Sequence, residues 1–134
     1  MSELPRKVAI VGGARIPFCR SNTAYSTESN HSMLTATLDV LVDKYNLAGE
    51  RLGEVSAGTV MHLRPTTCMT REAVLSSKLA NETPAYDVQQ YCGTSLETVL
   101  TVGSKIALGQ IDCGIAAGTD TTSDAAVGVN EGLR

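Results

Sequence analysis

Pro84-Ala85-Tyr86-Asp87-Val88-Gln89-Gln90-Tyr91-Cys92-Gly93-Thr94-Ser95-Leu96 carries two backbone patterns end to end. A proline opens an extended, β-like run. From Thr94 onward Leu96, Val99, Leu100, Gly103, Ile106 and Ala107 recur at three- and four-residue steps, the period of a helix, and Gly109 suits the position just past its C-terminus. The two patterns meet at Cys92, which puts a thiol at the mouth of a helix. Unpaired backbone N–H groups and the positive end of the macrodipole favour negative charge on a sulfur there. Gly93, with no Cβ, lets a substrate carbonyl approach the backbone. Residue chemistry alone leaves two readings of Cys92: a nucleophile, or a small buried apolar group, since free cysteine is among the most buried residue types.

The flanking sequence alternates between the same two patterns. Residues 71–79 predict a short amphipathic helix with Ala73, Val74, Leu75 and Leu79 on its apolar side, after a loop that carries Pro65 and Cys68. Residues 54–61 predict a strand in which Gly58 marks close packing or a bulge. Leu34, Leu38, Leu41, Val42 and Tyr45 form one stripe at helical spacing, capped by Ser29 or Asn30 and closed by Gly49. Lys7-Val8-Ala9-Ile10-Val11 predicts a buried parallel strand, and Cys113-Gly114-Ile115-Ala116-Ala117-Gly118 a further apolar strand with Cys113 as a buried filler. The order is βαβαβαβ. It implies an α/β fold with a mainly parallel sheet and helices on its faces. Ligands in such sheets bind beyond the carboxyl ends of the strands, where Cys92 and residues 119–123 both fall.

Composition narrows the function. The chain has 134 residues, 43% hydrophobic and 19% charged, enough for one domain with a core. With no Trp and one Phe, that core rests on Val, Leu, Ile and Ala. A net charge of −3 opposes nucleic-acid binding, which needs clustered Lys and Arg. No apolar run approaches the roughly 20 residues of a membrane span, and the N-terminus does not read as a secretory signal, so a cytoplasmic protein is the default expectation. Cys19, Cys68, Cys92 and Cys113 form no CxxC pair, and His31 and His62 share no ligand-like spacing with them, so no metal site is expected. Gly12-Gly13 after the first strand invites a dinucleotide-binding reading. The GxGxxG spacing is missing, however, and Pro17 stands where the phosphate-binding helix should be running.

Three words in the right order resemble the thiolase family. They are the opening Val8-Ala9-Ile10-Val11-Gly12-Gly13-Ala14-Arg15-Ile16-Pro17-Phe18, the cysteine segment centred on Tyr91-Cys92-Gly93-Thr94-Ser95, and Ala117-Gly118-Thr119-Asp120-Thr121-Thr122-Ser123-Asp124-Ala125. Thr70-Arg71-Glu72 and the aspartate-bearing third word are most similar to 3-ketoacyl-CoA thiolases of fatty-acid oxidation complexes. Ketoacyl synthases share the fold and the cysteine, but the opening word is thiolase-like rather than theirs. They stand as the alternative, together with a non-catalytic thiolase-like binding or assembly module.

The resemblance implies a thiolase N-terminal βαβαβαβ unit over residues 1–124, with 125–134 the start of a loop-domain insertion or a disordered tail. The chain then reads as the N-terminal part of a thiolase. The family's asparagine-glutamate-alanine-phenylalanine segment, glycine-histidine-proline motif and second catalytic cysteine, which lie further on, have no match here. Cys92 would be the acyl-accepting nucleophile, and Gly93 its support at the oxyanion. Met61, Met69, Thr119, Asp120 and Ser123 are candidate substrate-side or positioning residues; core filling is the competing reading for the methionines, and turn or capping roles for the other three. A coenzyme A thioester is the implied substrate, with no tightly bound cofactor. The implied partners are a second copy of the chain and another subunit of a fatty-acid oxidation complex.

Overall fold

Ser29 starts the first helix, α1 (Asn30–Tyr45), through a reciprocal box in which its hydroxyl accepts from the Ser32 N–H while its own N–H donates to the Ser32 hydroxyl. The helix stops at Asn46, not Gly49. Asn46 takes a left-handed conformation, which asparagine tolerates better than most residues, and Gly49 belongs to the turn beyond. The computed structural model describes residues 5–61 and 67–123. Their remaining elements are β1 (Glu54–Ala57), α2 (Met69–Ser76), β2 (Ala85–Asp87), a 3₁₀ turn (Tyr91–Gly93), α3 (Thr94–Ala107) and β3 (Gly114–Ala116).

The three strands form one parallel sheet in the order β2-β1-β3. Val55 lies beside Ala85 on one side and Ile115 on the other. Successive strand residues point to opposite faces, so Val55 and Ala57 look one way while Glu54 and Ser56 look the other. Val55, Ala57 and Ile115 meet Leu34, Leu38 and Val42 of α1 and Met69, Ala73 and Val74 of α2 in a single apolar core. Leu79 joins that core after α2 has ended, whereas Leu75 points outward.

The opposite face carries α3, and there the apolar periodicity of the sequence is misleading. The side buried on the sheet is Thr94, Thr98 and Val102, while Leu96 and Leu100 are 65% and 55% exposed. The cause is the sheet surface. A Cβ on Gly58 would come within 2.6 Å of Thr94 Cγ2, one on Gly114 within 2.9 Å of Val102 Cγ1, and one on Gly118 within 2.0 Å of Ser95 Oγ. The helix lies so near the strand backbones that only short or β-branched side chains fit beneath it. Its bulky stripe is turned away.

Two further expectations are corrected. Residues 7–11 form no strand: no ladder includes them, and Ile10 is 85% exposed. The segment instead runs past α3, with the Arg6 N–H on the Ala107 carbonyl and Val8 against Gly103. Without a neighbouring strand its apolar pattern has no sheet to enter. Cys113 is exposed rather than buried, because β3 begins only at Gly114.

At the foot of the sheet, Glu54 is buried and its carboxylate accepts from Lys105 Nζ of α3 and from Tyr86 OH of β2. The bond to Glu54 raises the Lys105 pKa above the usual lysine value against the opposing effect of desolvation, and Tyr86 adds to the rise. The Lys105 ammonium also lies 4.6 Å from the centre of the Tyr86 ring. Gly109, at φ +72, ends α3: its N–H reaches the Ile106 carbonyl and the next N–H, of Gln110, reaches Lys105.

Candidate functional site

All three strands run in one direction, so their carboxyl ends open on one side. Backbone pairing continues a residue or two beyond each strand. The Val88 N–H donates to the Ala57 carbonyl at 2.8 Å, and the Thr119 N–H to the Gly58 carbonyl at 3.0 Å. The chain after β1 is thereby held between the segments after β2 and β3. Gln89 adds a side-chain bond, its Nε2 donating to the Val60 carbonyl at 3.1 Å.

Cys92 sits in the 3₁₀ turn between β2 and α3 and is exposed. The turn is closed by the Gly93 N–H on the Gln90 carbonyl and the Thr94 N–H on the Tyr91 carbonyl. Among the described residues no backbone acceptor takes the Cys92 N–H. Gly93 is the N-cap of α3 and makes no side-chain cap bond, so first-turn N–H groups remain for another acceptor. The nearest atoms to a Cβ built on Gly93 are those of the Gln90 side chain, at 3.8 Å, an ordinary van der Waals contact.

Tyr91, next to the cysteine, has φ +47, a left-handed conformation that costs a residue with a Cβ about 1–2 kcal/mol. Tyr91 is 73% exposed, so packing does not hold the backbone there. The hydroxyl of Thr94 accepts from the Gln90 N–H at 2.9 Å and donates to the Tyr91 carbonyl at 2.7 Å. Two such bonds, at about 0.5–1.5 kcal/mol each, are of the size needed to offset the strain.

The other candidates divide between this end of the sheet and elsewhere. Thr119 is tied to Gly58 as described, and Asp120 Oδ1 accepts from the buried Thr59 hydroxyl at 2.9 Å and from the Thr121 N–H at 3.1 Å. Asn30 Nδ2 donates to the same Thr59 oxygen at 3.0 Å and to the Met61 carbonyl at 3.3 Å, connecting α1 to the group. The Met61 carbonyl therefore lies beside Asn30 and the Thr59 hydroxyl, and the residue is half-buried. Ser123 belongs to a separate contact, its hydroxyl accepting from the Asn22 N–H at 2.8 Å. Met69 is 3% exposed and packs in the core beneath α1. Its N–H and that of Thr70 donate to the two oxygens of Asp87, both at 2.8 Å, so the end of β2 caps α2.

Thr94 and Thr59 carry no site role in the sequence reading, and Asn30 stands there only as a candidate cap of the first helix. A threonine at the first position of a helix beside the cysteine was a usable signal for Thr94. Nothing local to Thr59 or Asn30 betrays a contact between them. Residues 62–66 and 124–134, which include His62 and the end of the third thiolase-like word, lie outside the described residues. Among the described residues no group of three or more His, Cys, Asp or Glu could hold a metal ion, and no helix is long and apolar enough to cross a membrane.

Comparison with known proteins gives this geometry a context. The family model for the thiolase N-terminal domain matches residues 8–134. A 3-ketoacyl-CoA thiolase of Aliivibrio fischeri (strain MJ11) is 34% identical over 127 residues, 95% of this chain and 29% of that protein. The mitochondrial trifunctional enzyme subunit beta of Mus musculus is 30% identical over 129 residues, 96% of this chain and 27% of that protein. The crystal structure of the Bacillus anthracis acetyl-CoA acetyltransferase superposes with a TM-score of 0.90 at 18% identity, over 98% of this chain and 33% of that one. The chain thus spans under a third of the length of these curated relatives.

Proposed function

The chain belongs to the thiolase family through its N-terminal domain, and on that premise we propose that Cys92 is the acyl-accepting nucleophile of a 3-ketoacyl-CoA thiolase. The observation that carries the proposal is an exposed thiol in the turn that leads into α3, with a backbone N–H that no backbone acceptor among the described residues takes, at the carboxyl ends of a parallel sheet.

The sulfur, as thiolate, attacks the 3-keto carbon of a 3-ketoacyl-CoA. The resulting oxyanion collapses with cleavage of the bond between carbons 2 and 3. Carbon 2 leaves with the electron pair, takes a proton and departs as acetyl-CoA, while the acyl group stays on sulfur as a thioester. The thiol of a second coenzyme A then attacks that thioester and releases the shortened acyl-CoA and the cysteine. In reverse the same steps make a carbon–carbon bond by Claisen condensation. The Cys92 N–H is the donor this chain offers the oxyanion, and loss of one such donor typically costs about 10²–10³ in rate. Neither the family's glycine-histidine-proline motif nor its second catalytic cysteine has a match in these residues, so this chain by itself is expected to turn over far more slowly than a full-length thiolase.

Thr119 and Asp120, through Gly58 and Thr59, order the strand ends beside the cysteine in this reading. The homo-oligomer proposal rests on the exposed α3 stripe of Leu96, Val99 and Leu100. A partner subunit of a fatty-acid oxidation complex is proposed from the mouse relative, which is named as a subunit of a trifunctional enzyme.

Brief treatment with iodoacetamide near neutral pH, read by mass spectrometry, tests the nucleophile. Cys92 and Cys113 are both exposed, so accessibility alone predicts similar labelling. Faster modification of Cys92 than of Cys113, and an acyl adduct on Cys92 after incubation with acetyl-CoA, are the expected results. Equal labelling of the two with no adduct would refute the proposal.

A further inference from the structure

We infer that Thr94 is a positioning residue for the Cys92 nucleophile, its hydroxyl holding the left-handed Tyr91 turn that aims the sulfur. The inference rests on the acyl-transfer reading of Cys92 and deepens it. The hydroxyl grips the chain on both sides of Tyr91, through the Gln90 N–H before it and the Tyr91 carbonyl after it. Cys92 is the next residue, inside the loop that these bonds close. Because Tyr91 is exposed, the polar bonds around it are what hold its backbone at φ +47.

The methyl of Thr94 has a different task. Thr94 is 4% exposed, and its Cγ2 occupies the space that a Cβ on Gly58 would need. The methyl anchors the start of α3 to the end of β1, and the hydroxyl orients the turn. Threonine unites the two tasks, and two conservative replacements separate them. Thr94→Val keeps the branched shape and deletes both hydrogen bonds; Thr94→Ser keeps the bonds and deletes the methyl.

The experiment measures the iodoacetamide rate at Cys92 relative to Cys113 in the same sample, with the melting temperature of each variant. Thr94→Val is expected to slow Cys92 about tenfold, the equivalent of one to two lost hydrogen bonds. Thr94→Ser should stay within about twofold of the parent, although losing a buried methyl lowers its melting temperature. If Thr94 only stabilises the fold, reactivity follows melting temperature in both variants, and the inference is overturned. A Thr94→Val rate equal to the parent's overturns it as well.

Should Thr94→Val fold poorly, a second arm uses Tyr91→Gly, since glycine adopts positive φ without strain. The double variant Tyr91→Gly/Thr94→Val is expected to recover a rate within about threefold of Tyr91→Gly alone. Failure of that recovery in a folded double variant counts against the inference. Equal labelling of Cys92 and Cys113 in the parent chain is a separate result: it removes the acyl-transfer reading and this inference with it.

Discussion

Replacing Gly58 by alanine tests how closely the helix behind Cys92 is fitted to the sheet. The added Cβ would lie 1.8 Å from the Val88 carbonyl oxygen, 3.0 Å from its carbon and 2.6 Å from Thr94 Cγ2. Contacts of this kind are not made below about 3 Å, so the backbone at Val88 must retreat by roughly 1.2 Å or the first turn of α3 must lift. Retreat is resisted by the bond from the Val88 N–H to Ala57. Overpacking typically costs about 1–3 kcal/mol, and a broken backbone bond adds about 0.5–1.5, for a total near 3 kcal/mol. In a chain of this length that is a fall in melting temperature of about 10 °C. The assay is urea unfolding followed by far-ultraviolet circular dichroism with linear extrapolation. Gly13→Ala is the control, because a Cβ there meets nothing within 4 Å, and it should change stability by less than about 0.5 kcal/mol. If Gly58→Ala also costs less than about 1 kcal/mol, the close-seating account of α3 is wrong.

Lys105→Met leaves the buried Glu54 carboxylate without its cation. The expected loss is about 1–3 kcal/mol by urea unfolding, below the range for a fully buried pair because Lys105 is one-third exposed. The folded-state pKa of Lys105 is raised, so its contribution is complete below the unfolded lysine value of about 10.4 and is lost as pH rises through the folded one. The parent should lose stability above about pH 10 more steeply than Lys105→Met, and parallel alkaline curves would contradict the pairing. Leu100→Gln, on the exposed stripe of α3, should leave the urea midpoint nearly unchanged and lower the mass seen by light scattering. A parent chain that is already a monodisperse monomer would end the homo-oligomer proposal.

Much of the site could be read along the chain because its signals are local. A β-like run, a cysteine and a helical period follow one another within Pro84–Leu96, and the structure puts Cys92 in the turn between β2 and α3. The start of α1 at Ser29, one of the two caps the sequence offers there, and the Gly109 end of α3 are of the same kind, since a cap depends on residues within about one turn. Of the two readings of Gly58, close packing or a bulge, the structure shows close packing. Contacts made across long sequence separations were not legible. Thr59 to Asp120, Asn30 to Thr59 and Glu54 to Lys105 link residues that have no pattern in common.

By itself, then, the sequence determined which segments are helical, where α3 ends and that Cys92 stands just ahead of a helix, because backbone propensity and periodicity act between near neighbours. Which face of α3 is buried was decided only in three dimensions. Gly58, Gly114 and Gly118 come from different parts of the chain, and only their assembly makes a surface that accepts Thr94, Thr98 and Val102 and excludes the leucines. The fate of residues 7–11 was decided there too. An apolar run becomes a strand only when a neighbour supplies the other half of each hydrogen bond, and among the described residues none does.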